Sequence, residues 1–286
     1  MYSYKRIKIL DSEMAYIDEG EGDPIIFLHG NPTSSFLWRH IMPYAEGLGR
    51  ILAPDLIGMG QSGKNPSGSY RFVDHYEYLS AWIEAMDLGS NAVLVIHDWG
   101  SGLGFHWANE HRDQIQGIVY MEAIVRPMSI SEWPEQAAGI FKGMRSTKGE
   151  ELILERNFFI ERILPSSIIR KLTDEEMHVY RAPFAEAGEA RRPTLTWPRQ
   201  IPFDGEPADV HGIVSNYYAW LQSDESPPKL YINADPGIIL TGQVRKDAQA
   251  LPNQEEITVK GLHFIQEDSP DEIGEATANF VKKLRA

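Results

Sequence analysis

The segment spanning residues 93–104 constrains the fold more than any other part of the chain. Four apolar, β-favouring residues at 93–96 lead into His97 and Asp98, and glycines follow at positions 100, 102 and 104. Such an apolar run predicts a buried strand, and the glycines let the next helix leave at a sharp angle. Asp98 stands where the serine of the nucleophile elbow Gly-x-Ser-x-Gly would stand, although Ile96 replaces the first glycine. We interpret Asp98 as either a nucleophile or a helix N-cap.

Composition narrows the class of protein and its partners. The chain has 286 residues, 42% hydrophobic and 24% charged, which suits one α/β enzyme domain or one domain with an insertion. Its net charge of −14 repels phosphate backbones and anionic lipid, so we expect neither nucleic acid nor membrane as a partner. The absence of cysteine excludes a thiol nucleophile. With no apolar run of membrane-spanning length, we expect a cytoplasmic location and leave a periplasmic one open.

Predicted strands alternate with predicted helices through the first part of the chain. Two short strands, at 4–10 and 14–17, come first, and the acidic turn 18–22 is predicted to connect to the next strand as a hairpin. Further strands are predicted at 25–28, 51–53, 93–97 and 115–121, and helices at 35–48, 73–86 and 99–110. This alternation indicates a mostly parallel, doubly wound sheet, with ligand chemistry at the carboxyl ends of its strands.

The rhythm changes after the sixth strand. Residues 123–207 have a helical pattern rich in Arg, Glu, Phe and Pro, and the prolines of 191–202 disfavour both helix and strand there. The α/β pattern then resumes, with strands at 229–234 and 256–259 and helices at 242–250 and 271–284. We therefore predict a main domain formed by residues 1–122 and 208–286. Residues 123–207 are predicted to form a helical cap over the active site.

Candidate catalytic residues follow several of the predicted strands. Glu122 and Asp235 end two later strands, and His263 follows the last one. A nucleophile needs a base within reach and a third group that orients the base. Nucleophile, acid and histidine is the chain order of α/β-hydrolases. Either carboxylate could be the acid, although Asp235, followed by Pro-Gly, is also typical of a turn.

Five motifs in chain order resemble the haloalkane dehalogenases of the α/β-hydrolase superfamily, over essentially the whole chain including the cap. They are His29-Gly30-Asn31-Pro32, Asp55 to Ser62, His97-Asp98-Trp99-Gly100-Ser101, Tyr120-Met121-Glu122-Ala123 and Gly261-Leu262-His263-Phe264. The resemblance implies an α/β-hydrolase fold with a helical cap, and no cofactor or metal. It implies Asp98 as nucleophile, His263 as base and Glu122 as supporting acid. It also implies Asn31 and Trp99 as the donors that hold the departing halide.

The same resemblance implies a largely apolar substrate pocket. Its predicted lining residues, each of which could instead be ordinary core, are Phe141, Phe159, Trp197, Pro198, Ile201, Ile238, Ile239 and Phe264. The implied partners are a small apolar halogenated substrate, water and the halide product. We expect a monomer or a weak homo-oligomer.

Three alternative functions use parts of the same pattern. An epoxide hydrolase would employ the same Asp and His. Such families, however, have an aromatic or other residue where Asn31 stands, and they carry paired lid tyrosines that protonate the epoxide oxygen. A fluoroacetate-type dehalogenase would need basic residues beside the nucleophile, and Trp99-Gly100-Ser101 offers none. A non-catalytic small-molecule receptor would have no need of a general base.

Overall fold

The computed structural model describes residues 2–133 and 135–286, and its centre is an eight-stranded sheet of order β1-β2-β4-β3-β5-β6-β7-β8. The first two pairings, β1 with β2 and β2 with β4, are antiparallel, and all the others are parallel. The strands are β1 (Lys5–Ile9), β2 (Ser12–Glu19), β3 (Pro24–Leu28), β4 (Arg50–Pro54), β5 (Ala92–His97), β6 (Ile115–Ala123), β7 (Lys229–Pro236) and β8 (Gln254–Gly261). The predicted mostly parallel sheet is therefore confirmed.

Helices cover both faces of the sheet. They are α1 (Met42–Ala45), α2 (Phe72–Ala85), α3 (Asp98–Glu110), α4 (Glu135–Arg145), α5 (Leu164–Ser166), α6 (Asp174–Arg181), α7 (Arg192–Gln200), α8 (Ala208–Leu221), α9 (Gly242–Gln249), α10 (Ile265–Asp268) and α11 (Pro270–Leu284). Alternate residues of β3 and β5 point to opposite faces. Those on one face pack with α1 and α11, and those on the other pack with α2, α3 and α8. Both faces being covered explains why β3 and β5 are buried along their whole length.

Two predictions of secondary structure were wrong at prolines. The predicted helix 35–48 is a 3₁₀ turn, Ser35–Trp38, followed by the separate short α1. Pro43 has no N–H to donate, so it begins a new helix rather than continuing one. Residues 192–200, predicted to be irregular, form α7. Pro193 lies in its first turn, where an N–H is not needed, and Pro198 lies two residues from its end.

The acidic segment 18–22 does not make a hairpin. β2 pairs with β1 and with β4, so β4 lies between β2 and β3. The hairpin is formed instead by β1 and β2, whose closing pair is Ile9 and Ser12. Local turn residues indicated a reversal correctly but could not reveal which strand would later pair at that edge.

The long connection between β6 and β7 carries α4 to α8 and two π-helical turns, Glu150–Glu155 and Phe159–Ile163. Tyr217 of α8 packs on Phe105 of α3 at a ring separation of 5.5 Å, so α8 covers the sheet. The part before α8 has a small apolar cluster of its own, which includes Met144 and Leu195. We retain the division into a main domain and a 123–207 cap as a proposal. Within the described ranges, no helix combines the length and apolar character that crossing a membrane requires.

Candidate active site

Asp98 lies at the sharp turn between β5 and α3, with a φ of +48°. This left-handed conformation is unusual for a non-glycine residue. Two glycines allow the turn to pack closely: a Cβ on Gly30 would lie 2.1 Å from Oδ1 of Asp98, and one on Gly100 would lie 2.2 Å from the Leu28 carbonyl oxygen. Because the loop after β3 can approach so closely, the backbone N–H of Asn31 donates to Oδ1 of Asp98 at 2.7 Å.

His263 lies between two buried carboxylates. Its Nε2 is 3.5 Å from Oδ2 of Asp98, and its Nδ1 is 3.1 Å from Oε2 of Glu122. Burial lowers the pKa of His263, but the two carboxylates outweigh burial and raise this pKa to about 9. For Asp98, burial alone would raise the pKa of the carboxyl group. The hydrogen bond and the charge of His263 outweigh burial, so this pKa lies below its usual value. Asp98 is therefore ionised at neutral pH.

Glu122 is the second-last residue of β6 and is almost fully buried. Its Oε2 accepts backbone N–H groups from Ile238 at 3.0 Å and Ile239 at 2.8 Å, and its Oε1 accepts that of Leu240 at 3.2 Å. These donors come from the segment after β7, so the turn that follows one strand holds a carboxylate near the end of the neighbouring strand β6. An anchored carboxylate beside Nδ1 of His263 fixes the imidazole orientation and stabilises its charged form.

Asp235, the alternative acid, is exposed at the end of β7. Among the residues that the structure describes, it makes no hydrogen bond or ion pair with His263. The structure thus brings Glu122, and not Asp235, against the histidine.

His97 holds the main chain of His263 from inside the protein. Its Nε2 lies 2.9 Å from the His263 carbonyl oxygen, and the two rings are 4.6 Å apart. Burial and the charge of His263 lower the pKa of His97 to about 3, so its imidazole is neutral at working pH. Since a carbonyl oxygen only accepts, Nε2 of His97 carries the proton.

A cavity of about 370 Å³ opens beside these residues, and Asn31, Asp98, Trp99 and His263 all line it. Within the described ranges, neither the Trp99 indole N–H nor the Asn31 side-chain amide donates a hydrogen bond to the protein. Two residues with uncharged donors in the lining of a largely apolar cavity suit an anion that forms during reaction. No group of three or more His, Asp or Glu side chains in the described part of the chain is arranged to hold a metal.

Six of the eight predicted pocket residues line this cavity: Phe141, Phe159, Pro198, Ile201, Ile238 and Ile239. The structure places the other two, Trp197 and Phe264, outside the lining of this cavity. Trp197 stacks on Trp99 at 4.6 Å and on His75 at 4.1 Å. Phe264 packs edge-on against His263 at 4.6 Å. Both rings support site residues from outside the cavity.

Ten further residues line the cavity that were not predicted from the sequence. They are Ile124, Met128, Trp133, Ala137, Ile140, Ile163, Ser166, Ser167, Gly237 and Thr241. Those just after β6 and β7 follow the general rule that sites form at the carboxyl ends of parallel strands, and that rule could have found them. Ser166 and Ser167 lie in the insertion, and no local pattern marks them.

A doubly wound sheet with an aspartate at a strand-to-helix elbow, next to a histidine that also contacts a second buried carboxylate, is the arrangement of an α/β hydrolase. The alpha/beta hydrolase fold family matches residues 23–151. The chain is 59% identical to a haloalkane dehalogenase of Sphingobium indicum, over 98% of this chain and 96% of that protein. It is 53% identical to one from Mycolicibacterium smegmatis, over 98% and 91%. This chain belongs to the haloalkane dehalogenase family.

Two further similarities frame the function. The crystal structure of haloalkane dehalogenase DbeA from Bradyrhizobium elkani superposes with a TM-score of 0.95 at 41% identity, covering 100% of this chain and 99% of that one. A coelenterazine h 2-monooxygenase from Renilla reniformis is 47% identical over 98% of this chain and 91% of its own length. Relatives of this chain therefore include a protein named for a different reaction, as one fold can carry more than one activity.

Proposed function

We propose that this protein hydrolyses small apolar haloalkanes to an alcohol, a halide ion and a proton, without a metal or cofactor. The observation that carries the proposal is the buried contact of His263 with both Asp98 and Glu122, beside an apolar cavity with two uncharged donors. The identity to haloalkane dehalogenases over 98% of the chain supports the same reaction class.

The first step is a displacement at carbon. Oδ1 of Asp98 is occupied by the backbone N–H of Asn31, which leaves Oδ2 as the attacking oxygen. A bond forms between Oδ2 and the substrate carbon, and the carbon–halogen bond breaks with its electron pair leaving on the halide. An aspartate suits this attack because it is ionised at neutral pH, whereas a serine would first have to lose a proton. The indole N–H of Trp99 and the side-chain amide of Asn31 donate to the halide as its charge develops.

The second step removes the alkyl group as an alcohol. Nε2 of His263 takes a proton from a water molecule, whose oxygen adds to the carboxyl carbon of the ester. Negative charge then develops on Oδ1, where the Asn31 backbone N–H stabilises it. The bond from the carboxyl carbon to Oδ2 breaks, and the alcohol leaves with that oxygen and the proton from His263. The remaining carboxyl group ionises, which releases one proton for each halide formed.

The charge on Asp98 also determines when His263 is neutral and can act as a base. While Asp98 is a carboxylate, it stabilises the charged imidazole of His263. Ester formation removes this negative charge and so lowers the pKa of His263. The neutral imidazole is therefore favoured only after the step that requires Asp98 to be charged.

The 123–207 segment encloses the substrate in this proposal. Phe141, Phe159 and Ile201 of that segment line the cavity together with Asp98 and Trp99. A lining from both parts excludes bulk water from the displacement step. The cytoplasmic location and the monomeric or weakly oligomeric state remain predictions.

Halide release from dibromoethane tests the proposal, with Asp98→Ala as the control. Bromide that appears only with intact Asp98 supports it. An epoxide and coelenterazine are assayed in parallel. Diol from the epoxide without bromide would move the assignment to an epoxide hydrolase, and oxidation of coelenterazine without bromide would move it to an oxygenase. The absence of product in all three assays would favour a non-catalytic small-molecule receptor.

A further inference from the structure

A partly buried charged cluster is built around Glu267, in the segment that follows His263. Glu267 of α10 is four residues after His263, and its side chain is fully buried. Its carboxylate accepts two hydrogen bonds from Arg39, at 2.8 and 2.7 Å, and further ones from Arg170 and from the hydroxyl of Tyr180. We call Arg39, Arg170, Glu176, Tyr180 and Glu267 the Glu267 cluster.

The cluster joins the two predicted domains. Arg39 and Glu267 belong to the main domain, whereas Arg170, Glu176 and Tyr180 belong to the predicted cap. Glu176 accepts from Arg39 at 2.8 Å and from both terminal nitrogens of Arg170, at 2.9 and 2.7 Å. Two guanidinium groups and two carboxylates balance in charge. Removing the partners of Glu267 is costly, because its carboxylate is fully buried and would be left unpaired.

The cap segment 167–170 is also bound to the main chain around His263. The carbonyl oxygen of Ser167 accepts the backbone N–H groups of His263, at 3.1 Å, and Phe264, at 3.2 Å. The carboxylate of Asp268 accepts those of Ile169 and Arg170, at 2.8 and 3.1 Å. In addition, Nε of Arg170 donates to the Glu267 carbonyl oxygen at 2.6 Å. Residues 263–268, which begin with the proposed base His263, are therefore hydrogen-bonded to the predicted cap at several positions.

We infer that the Glu267 cluster positions His263 for ester hydrolysis by holding cap segment 167–170 against the His263 loop. Its members are positioning residues, since none of them is in contact with Asp98 or with the cavity. The inference rests on the proposed function, in which His263 acts only in the second step. The location of Asp98 depends on the elbow and the Asn31 N–H instead. A loosened cluster should therefore slow ester hydrolysis and leave ester formation unchanged.

The test is a single-turnover experiment on Arg170→Met, with enzyme in excess over dibromoethane. Methionine keeps much of the arginine stem but removes the guanidinium, and Glu267 keeps its partners Arg39 and Tyr180. Bromide should appear at the wild-type rate, because Asp98 is undisturbed. Bromoethanol should appear about tenfold to a hundredfold more slowly, because a small misplacement of a catalytic group lowers the reaction rate by about that factor.

Arg181→Met is the matched control, because Arg181 lies on α6 with Glu176 but, among the residues described by the structure, pairs only with Glu161, inside the predicted cap. It should leave both rates unchanged. If Arg170→Met slows bromide and bromoethanol by the same factor, or slows neither, the positioning role is wrong. If the wild-type protein releases no bromide at all, the proposed function fails instead.

Tyr180→Phe provides a second variant if circular dichroism shows that Arg170→Met does not fold. It removes one hydrogen bond to Glu267 and keeps the ring that packs on Phe36 at 5.4 Å. Bromoethanol formation should slow by about threefold to tenfold, the effect expected of one hydrogen bond, while bromide release stays unchanged. An unchanged rate of bromoethanol formation in this variant would overturn the inference.

Discussion

Nδ1 of His263 lies 3.1 Å from Oε2 of Glu122, a carboxylate whose two oxygens also accept three backbone N–H groups. The Glu122 carboxylate is therefore held by the main chain after β7, and it in turn holds the His263 imidazole. This relationship distinguishes Glu122 from Asp235, which is exposed at the end of the neighbouring strand. It also makes the role of each carboxylate separable by substitution.

Glu122→Gln should reduce turnover by on the order of 10³-fold or more, because an amide neither stabilises the imidazolium nor fixes its tautomer. Asp235→Asn should leave turnover unchanged. Steady-state bromide release measures both variants, and urea unfolding shows whether each is folded. A folded Asp235→Asn protein that loses activity while Glu122→Gln retains it would reverse the assignment of the acid.

His263→Ala should trap the alkyl ester on Asp98. The displacement does not need the base, so one bromide per protein chain should be released before the reaction stops. Intact-mass spectrometry should then show one added alkyl group, and peptide mapping should place it on Asp98. Continued turnover, or release of bromide without any adduct, would show that His263 is not the base of the second step.

Trp99→Phe should lower the rate of bromide release by on the order of 10²–10³-fold, by analogy with removal of one oxyanion-hole donor. Phenylalanine keeps an aromatic ring beside Phe72 and Trp197, which the Trp99 indole contacts, but removes the indole N–H. Trp197→Phe is the matched control, since Trp197 stacks behind Trp99 without lining the cavity. Equal losses in the two variants would indicate that packing, and not the indole N–H of Trp99, accounts for the effect.

His263 should titrate near pH 9 in the free protein, against an ordinary value of 6.5. A raised pKa means that protonated His263 stabilises the fold. This contribution is fully present below pH 6.5 and is lost as the pH rises through about 9. NMR of the imidazole measures the titration. Asp98→Asn removes one of the two carboxylates and should lower the pKa of His263, so an unchanged titration in that variant would contradict the account.

The candidate site could be predicted from the sequence because strand ends can be recognised locally. Apolar runs that stop at Asp98 and Glu122 place both carboxylates at the same edge of a parallel sheet, wherever the strands lie in it. The neighbour of each strand in the sheet, by contrast, cannot be recognised locally. β4 enters between β2 and β3 through contacts distant in sequence, so local turn residues around 18–22 predicted the wrong partner.

The pocket was harder to predict because its lining depends on side-chain direction. Trp197 and Pro198 are adjacent on α7, yet only Pro198 reaches the cavity. Choosing between them requires the rotational phase of a helix, and the prolines of this segment argued against any helix. Phe264 follows His263 directly, but its ring packs against His97 at 5.6 Å, a contact that joins residues far apart in the chain.

The covalent role of Asp98 is tested most directly by a single turnover in ¹⁸O-labelled water. If water adds to the carboxyl carbon of an Asp98 ester, the first alcohol formed carries an ordinary oxygen that came from Asp98. The heavy oxygen then remains in the carboxylate, where mass spectrometry of the Asp98 peptide should detect it. Heavy oxygen in the first alcohol, with none in Asp98, would mean that water displaces the halide directly, and it would contradict the account.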